Sequence, residues 1–414
     1  MNNIWLSLSI AAIATAGVII RPYRLPEYLF AFGGAVLLVA LGLLPLPLAF
    51  GAVLKGTDVY CFLIGMMVLA STASREGLFD YLAALAVRRA NGSSQRLFLI
   101  VYGVGVLVTV FLSNDATAVV LTPAVYAASR HARVEPLPYL FICAFIANAA
   151  SFVLPISNPA NLVIYGSAMP PLSTWLGQFL LPSLASILAT FVALRWVVRA
   201  DLGRDQPGVA EVPHLGNSGR MVACGIVATS AVLLAASALG LDLGLPTLIS
   251  GAVVVVGVTL LTRRSPLAVL KDVSWGVLPL VAGLFVLVEA VFRSGSLQAL
   301  TAWLHDGGQT APGLTAALAG TGFAFGSNLI NNLPAGLIAA TAGQAASIPA
   351  QVTNALLIGV DLGPNLSVTG SLATILWLTA LRKENLHVSA WQFLRTGLIV
   401  MPSALILALV VLVR

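Results

Sequence analysis

The chain has 414 residues, of which 59% are hydrophobic and only 9% charged, with a mean hydropathy of +0.98. Soluble domains run at roughly 25% charged residues, so this composition excludes a soluble globular protein and indicates a membrane protein with many helical spans. The net charge of +6 is accordingly read as membrane topology and not as affinity for nucleic acid.

A span needs about 20 apolar residues. The first is expected at 4–20, which lacks the basic start and cleavage pattern of a removed signal peptide. Further spans are expected at 28–44 and 58–74, and 76–90 reads as an amphipathic interfacial helix through Leu78, Leu82, Leu85 and Ala86. Apolar runs at 97–112 and 116–129 flank a polar interruption, Ser113-Asn114-Asp115-Ala116-Thr117. The run 138–168 is broken at 155–161, Pro155-Ile156-Ser157-Asn158-Pro159-Ala160-Asn161, and a span follows at 172–198.

A polar linker at 201–219 divides the chain. Beyond it, spans are expected at 221–239, 245–262 and 275–292, with an amphipathic stretch at 295–304. Runs at 314–325 and 333–345 flank a second interruption at 326–332, with Ser327, Asn328, Asn331 and Asn332 and then Pro334. The run 352–381 is broken near 361–371, and the last span is 393–413.

The order span, span, interfacial helix, interrupted pair, broken span, span occurs twice. The expected organisation is therefore repeat 1 at 28–200 and repeat 2 at 245–414, with extra spans in 1–27 and 220–244 and a cytoplasmic linker at 201–219. With both termini outside and each interrupted pair a re-entrant hairpin, about ten crossings result. All of the 21 Lys and Arg except Lys55, Arg293 and Arg414 then fall on the cytoplasmic side. The expected fold is an all-α polytopic inverted-repeat transporter with two re-entrant hairpins and two broken transmembrane helices meeting near mid-membrane.

Hydrocarbon does not solvate free backbone groups, so polar helix breaks at membrane depth mark a buried or water-filled site. Ser113, Asn114, Thr117, Ser157, Asn158, Asn161, Ser327, Asn328, Asn331, Asn332, Thr369 and Ser371 are the candidate substrate-binding residues, as amides and hydroxyls at the breaks. The same groups can serve only to satisfy freed backbone. Asp115 and Asp361 are the candidate proton-coupling carboxylates, although Asp115 also suits a helix N-terminus. Glu289 has Arg293 one turn on and reads as a paired structural acid. No Lys or Arg occupies the four breaks, which suits a neutral polyhydroxylated solute. Cys61, Cys143 and Cys224 stand singly, giving neither a disulfide framework nor a thiolate metal site. No cofactor is expected. The chain has no Walker motif, HExxH or Ser/His constellation at depth, so an ATPase or intramembrane enzyme is disfavoured.

These breaks resemble those of the ArsB-type arsenite efflux permeases of the ion-transporter superfamily. The resemblance rests on Phe111-Leu112-Ser113-Asn114-Asp115 running to Leu121-Thr122-Pro123, Ser157-Asn158 with Asn161, and Asn331-Asn332-Leu333-Pro334. Most specific is Asp361-Leu362-Gly363-Pro364, with Gly370-Ser371-Leu372-Ala373-Thr374 and Leu376-Trp377-Leu378. It implies a prokaryotic plasma-membrane exporter of arsenite or antimonite, coupled to inward protons, with a soluble ATPase subunit as an optional partner. Two departures stand out: Asn148 where the family often has an acid, and Asn365 where it often has Lys. The alternatives are a sodium- or proton-coupled symporter of dicarboxylates or inorganic anions, and a non-transporting membrane anchor subunit.

Overall fold

The computed structural model describes residues 2–202 and 213–414, and in them the chain is all helical. The expected linker at 201–219 lies largely outside the described residues. The helices are α1 (Asn2–Ile20), α2 (Glu27–Ala40), α3 (Leu46–Lys55), α4 (Thr57–Arg75), α5 (Leu78–Ala90) and α6 (Ser94–Phe111). Next come α7 (Asn114–Ala116), running through a π turn (Thr117–Leu121) into α8 (Thr122–His131), then α9 (Leu137–Ala149), α10 (Pro159–Tyr165), α11 (Leu172–Val197) and the short α12 (Arg199–Leu202). The remainder is α13 (Asn217–Ala238), α14 (Gly244–Thr262), α15 (Leu267–Asp272), α16 (Val277–Arg293), α17 (Gln298–Thr310), α18 (Pro312–Ile330), α19 (Asn332–Ala346), α20 (Ala350–Leu362), α21 (Leu372–Lys383) and α22 (Ala390–Val413).

Six of these helices are long and apolar enough to cross a membrane alone, and α16 with α17 forms a seventh unit bent by 81°. The shorter apolar helices include α1, α2, α3 and α9. The expected run 28–44 ends at Ala40, and a separate helix, α3, follows where a connection is expected. Pro45 and Pro47 explain the restart, because proline is tolerated at a helix entry and breaks an interior.

The long helices pair across the chain's midpoint. α4 packs along α14, and α16 packs along α2. α11 packs along α22. α1 covers α2, and α13 covers α14 in the same way. Glycine makes the first two contacts close. A Cβ on Gly65 of α4 would meet Thr247 O at 2.4 Å, and one on Gly283 of α16 would meet Ala31 C at 2.5 Å. Lipid offers helices no hydrophobic drive to associate, so small residues that admit close van der Waals contact hold such pairs.

Three boundaries differ from expectation. α18 stays helical through Ile330, so Ser327 and Asn328 lie in its last turns and the break falls at Asn331, whose φ is +74°. Asp361 lies within α20, ahead of the break at 363–371. The first broken run interrupts after Ala149, earlier than Pro155.

Candidate functional site

Four helices begin at one place, each with a side chain that accepts from an otherwise free N–H of its first turn. Ser113 Oγ accepts from Ala116 N at 3.1 Å to start α7, and Asn158 Oδ1 accepts from Ala160 N at 3.0 Å to start α10. Asn331 Oδ1 accepts from Leu333 N at 3.4 Å to start α19, and Ser371 Oγ accepts from Thr374 N at 3.1 Å to start α21. Such caps contribute about 1 kcal/mol each. The four starts surround a cavity of about 10 Å³, lined by Asn114, Asp115, Asn158, Pro159, Asn332, Leu333, Leu372 and Ala373 with Leu63 and Val277. Helix N-termini carry partial positive charge, so the cavity favours electronegative oxygen although no Lys or Arg lines it.

The cavity communicates with one side. A vestibule of about 490 Å³, with Lys271, Asp272 and Lys383 at its rim, shares Leu63, Asp115, Pro159, Val277 and Leu372 with the small cavity. A second vestibule, of about 770 Å³, lies at the opposite ends of α4 and α16, beside Val59 and Glu289. It shares no lining residue with the small cavity; Leu162, Val163 and Leu337 lie on its wall. Glu289 sits there between Lys55 at 2.9 Å and Arg293 at 2.6 Å. The expected partner Arg293 is present, and Lys55 joins it from α3.

The candidate residues divide into two groups. Asn114, Asp115, Asn158 and Asn332 line the small cavity, and Ser113 lines the first vestibule. Among the described residues the Asp115 carboxylate has no hydrogen-bond or ion-pair partner, and Asn332 Oδ1 is buried without one. The polar atoms of the remaining candidates bond backbone or neighbouring side chains, and none of these residues lines the cavity or either vestibule. Thr117 Oγ1 shares a hydrogen with Thr109 Oγ1 at 2.8 Å, and Ser157 Oγ donates to Val110 O at 3.0 Å. Asn161 Nδ2 donates to Ser151 O, Leu154 O and Pro155 O at 2.9, 3.3 and 3.3 Å. Ser327 Oγ donates to Ala324 O, and Asn328 Nδ2 to Ala324 O and Gly363 O. Asn331 Nδ2 donates to Thr369 O, Thr369 Oγ1 to Asn328 O, and Ser371 Oγ shares a hydrogen with Thr374 Oγ1. The physical reason is common to all: each break frees carbonyls and N–H groups that membrane depth leaves without water.

Asp361 is fully buried and lines neither vestibule nor the cavity. Asn158 Nδ2 donates to its Oδ1 at 2.8 Å, and Ser151 Oγ lies 2.6 Å from its Oδ2. Asn148 Nδ2 donates to Asn365 Oδ1 at 3.0 Å, and Asn365 Nδ2 donates to Phe145 O at 3.0 Å. This network ties the first broken run to the second. Sequence reasoning left Ser151, Asn148, Asn365 and Thr374 out of the site. A polar residue inside an apolar helical run was the available signal. The three cysteines lie apart: Cys143 is buried on α9, Cys224 is exposed on α13, Cys61 is half-buried on α4, and none lines the cavity or either vestibule.

Comparison with known proteins agrees with this architecture. The family profile described as "Citrate transporter" (CitMHS) matches residues 11–359. The arsenical pump membrane protein of Escherichia coli (strain K12) is 28% identical over 400 residues, covering 88% of each chain. That of Yersinia enterocolitica is 28% identical over 376 residues, covering 86% of this chain and 85% of the relative. An uncharacterized transporter of Mycobacterium tuberculosis (strain ATCC 25618 / H37Rv) is 26% identical over 430 residues, covering 97% of this chain and 96% of the relative. In fold, the chain is similar to the Alcanivorax borkumensis YdaH transporter, with TM-score 0.56, 18% identity and coverage of 88% and 86%. Neisseria gonorrhoeae MtrF gives TM-score 0.53, 14% identity and coverage of 99% and 94%. With all-helical multi-span architecture and a profile match over most of its length, the chain is a membrane transporter of the CitMHS family, within the ion-transporter superfamily.

Proposed function

We propose that the chain exports trivalent arsenic and antimony hydroxides across a bacterial inner membrane by alternating access, in exchange for protons. The observation that carries this reading is the small cavity, where the amides of Asn114, Asn158 and Asn332 meet the carboxylate of Asp115 with no cation present. A neutral trihydroxide offers donors and acceptors that amides match on both counts. The arsenical pump relatives support the same cargo.

The exchange of partners between halves supports two inverted units with hairpins at Ser113 and Asn331. α1 and α13 pack equivalently, so each unit includes the span that the sequence left outside it. The cation-rich rim of Lys271 and Lys383 would then face the cytoplasm and the Lys55–Glu289–Arg293 group the outside. The cavity opens to the Lys271 side, which corresponds to an inward-facing state ready to load cargo. Asp115 lines both cavity and vestibule, so it is the carboxylate placed to trade a proton for cargo. An exporter of a neutral solute gains nothing from the membrane potential through its cargo and needs such an exchange. A soluble ATPase subunit remains an optional cytoplasmic partner in this reading.

One feature favours a second reading. Four converging helix N-termini, together with the citrate-transporter profile, suit a small anion carried with sodium or protons. Everted membrane vesicles containing the chain separate the two. The arsenite reading expects vesicle uptake of arsenite driven by an imposed pH gradient, acid inside. Uptake of citrate or sulfate stimulated by sodium, with no arsenite uptake, would overturn it.

A further inference from the structure

We propose that Asp361 is a positioning residue that stays protonated throughout the transport cycle and holds Asn158 at the cavity as a neutral acid. The proposal rests on the reading of Asp115 as the exchanging carboxylate, and it removes Asp361 from the proton path.

One hydrogen on Ser151 stands between two oxygens. Ser151 Oγ lies 2.7 Å from Asn148 O and 2.6 Å from Asp361 Oδ2. A serine hydroxyl has one hydrogen, and a backbone carbonyl only accepts. With the Ser151 hydrogen on Asn148 O, the contact to Oδ2 requires a hydrogen from Asp361. The resulting chain is complete: Asp361 donates to Ser151, Ser151 donates to Asn148 O, and Asn158 Nδ2 donates to Asp361 Oδ1 at 2.8 Å. Ionised Asp361 would instead be a fully buried charge held by two neutral donors. No cation faces it. Among the described residues, the titratable groups on elements packed against α20 are Tyr139 and Cys143 on α9, Tyr165 on α10 and Arg395 on α22. Tyr139 donates to Ser94 O, Cys143 donates to Tyr139 O, Tyr165 donates to Asn354 Oδ1, and none of the four bonds to Asp361.

Access points the same way. Asp361 lines neither vestibule, and Asn158 stands between it and the cavity. Asn158 is bound at both ends, with Oδ1 on Ala160 N and Nδ2 on Asp361. A carboxamide held in this way is fixed in orientation and does not relay protons. Removing the acceptor at Asp361 frees Asn158 to rotate, which disturbs both the cap of α10 and the cavity wall.

The test is Asp361→Asn against Asp361→Ala in proteoliposomes. The amide of Asp361→Asn reproduces every bond of the neutral acid: its oxygen accepts from Asn158 and its nitrogen donates to Ser151. Asp361→Asn is expected to keep pH-driven arsenite accumulation, its pH profile and its KM within about twofold, while Asp361→Ala raises KM about tenfold. Infrared difference spectra of native protein against Asp361→Asn are expected to contain a carboxylic-acid C=O band at neutral pH that arsenite leaves unchanged. This measurement stands even if Asp361→Ala fails to fold. Loss of pH-driven accumulation in Asp361→Asn, or a band that vanishes on adding arsenite, would overturn the proposal. Failure of the Asp115 reading is seen separately, as pH-driven transport retained in Asp115→Asn.

Discussion

Asn161 and Asn332 are both buried amides at helix breaks, yet their surroundings give them opposite expected phenotypes. Asn161 Nδ2 serves the carbonyls of Ser151, Leu154 and Pro155 in the break after α9, and of these Leu154 O also accepts from Ser157 N. Two N–H hydrogens serve these three acceptors, so Asn161→Ala removes the equivalent of two bonds and strands carbonyls in a fully buried site. At about 1–3 kcal/mol per stranded group the loss is roughly 2–6 kcal/mol; the deletion also removes an unpartnered Oδ1, which returns one such group and leaves about 1–3 kcal/mol. Among the described residues Asn332 has no side-chain hydrogen-bond partner, and it lines the cavity. Asn332→Ala is therefore expected to change stability by less than about 1 kcal/mol and to raise KM about tenfold, the equivalent of roughly 1.4 kcal/mol of cargo binding. Equilibrium unfolding in mixed micelles measures the first quantity, and initial rates of arsenite uptake in everted vesicles measure the second. If Asn161→Ala raised KM while leaving stability intact, and Asn332→Ala did the reverse, the cavity between the four helix starts would not be the binding site.

Further expectations follow from the packing and topology. Gly65→Val and Gly283→Val should each lower the folded yield, because the added atoms enter space held by Thr247 O and Ala31; overpacking of this kind costs about 1–3 kcal/mol, read by unfolding in micelles. The triple variant Cys61→Ser, Cys143→Ser, Cys224→Ser should still transport, since no cysteine lines the cavity; inactive protein of normal fold and yield would reinstate thiol ligation. In that cysteine-free background, Ser265→Cys should react with an impermeant maleimide only from the cytoplasm and Thr310→Cys only from outside. Labelling of Ser265→Cys from outside would invert the orientation.

The class of the fold was legible because hydrocarbon imposes one rule: long apolar runs are helices, and polar breaks among them need a reason. The four breaks were therefore found, and the helix starts at Ser113, Asn158, Asn331 and Ser371 sit within the stretches singled out. What the sequence left open was which polar atoms would face outward from the broken backbone. Asn161 and Asn332 carry identical side chains, and only the positions of neighbouring carbonyls separate a backbone brace from a cavity wall. Ser327 and Asn328 fall in the expected tip at 326–332 because they are polar residues between two apolar runs. α18 stays helical there because both side chains bond Ala324 O on its own preceding turn, and Asn328 also reaches Gly363. Ser151 carries no signal of its own and Asn148 stands out only as a departure from the family's pattern, because both lie in an apolar run that reads as part of a span. Their role depends on Asp361 and Asn365, more than two hundred residues away.

The central claim is that cargo and protons exchange at Asp115, and proton movement evoked by cargo tests it most directly. Proteoliposomes enclosing a pH-sensitive dye are prepared with native protein and with Asp115→Asn, and arsenite is added outside with no imposed gradient. The native protein is expected to move protons against the direction of arsenite entry. Asp115→Asn is expected to bind arsenite and move no protons. Equal arsenite-evoked proton movement in both proteins would contradict the account.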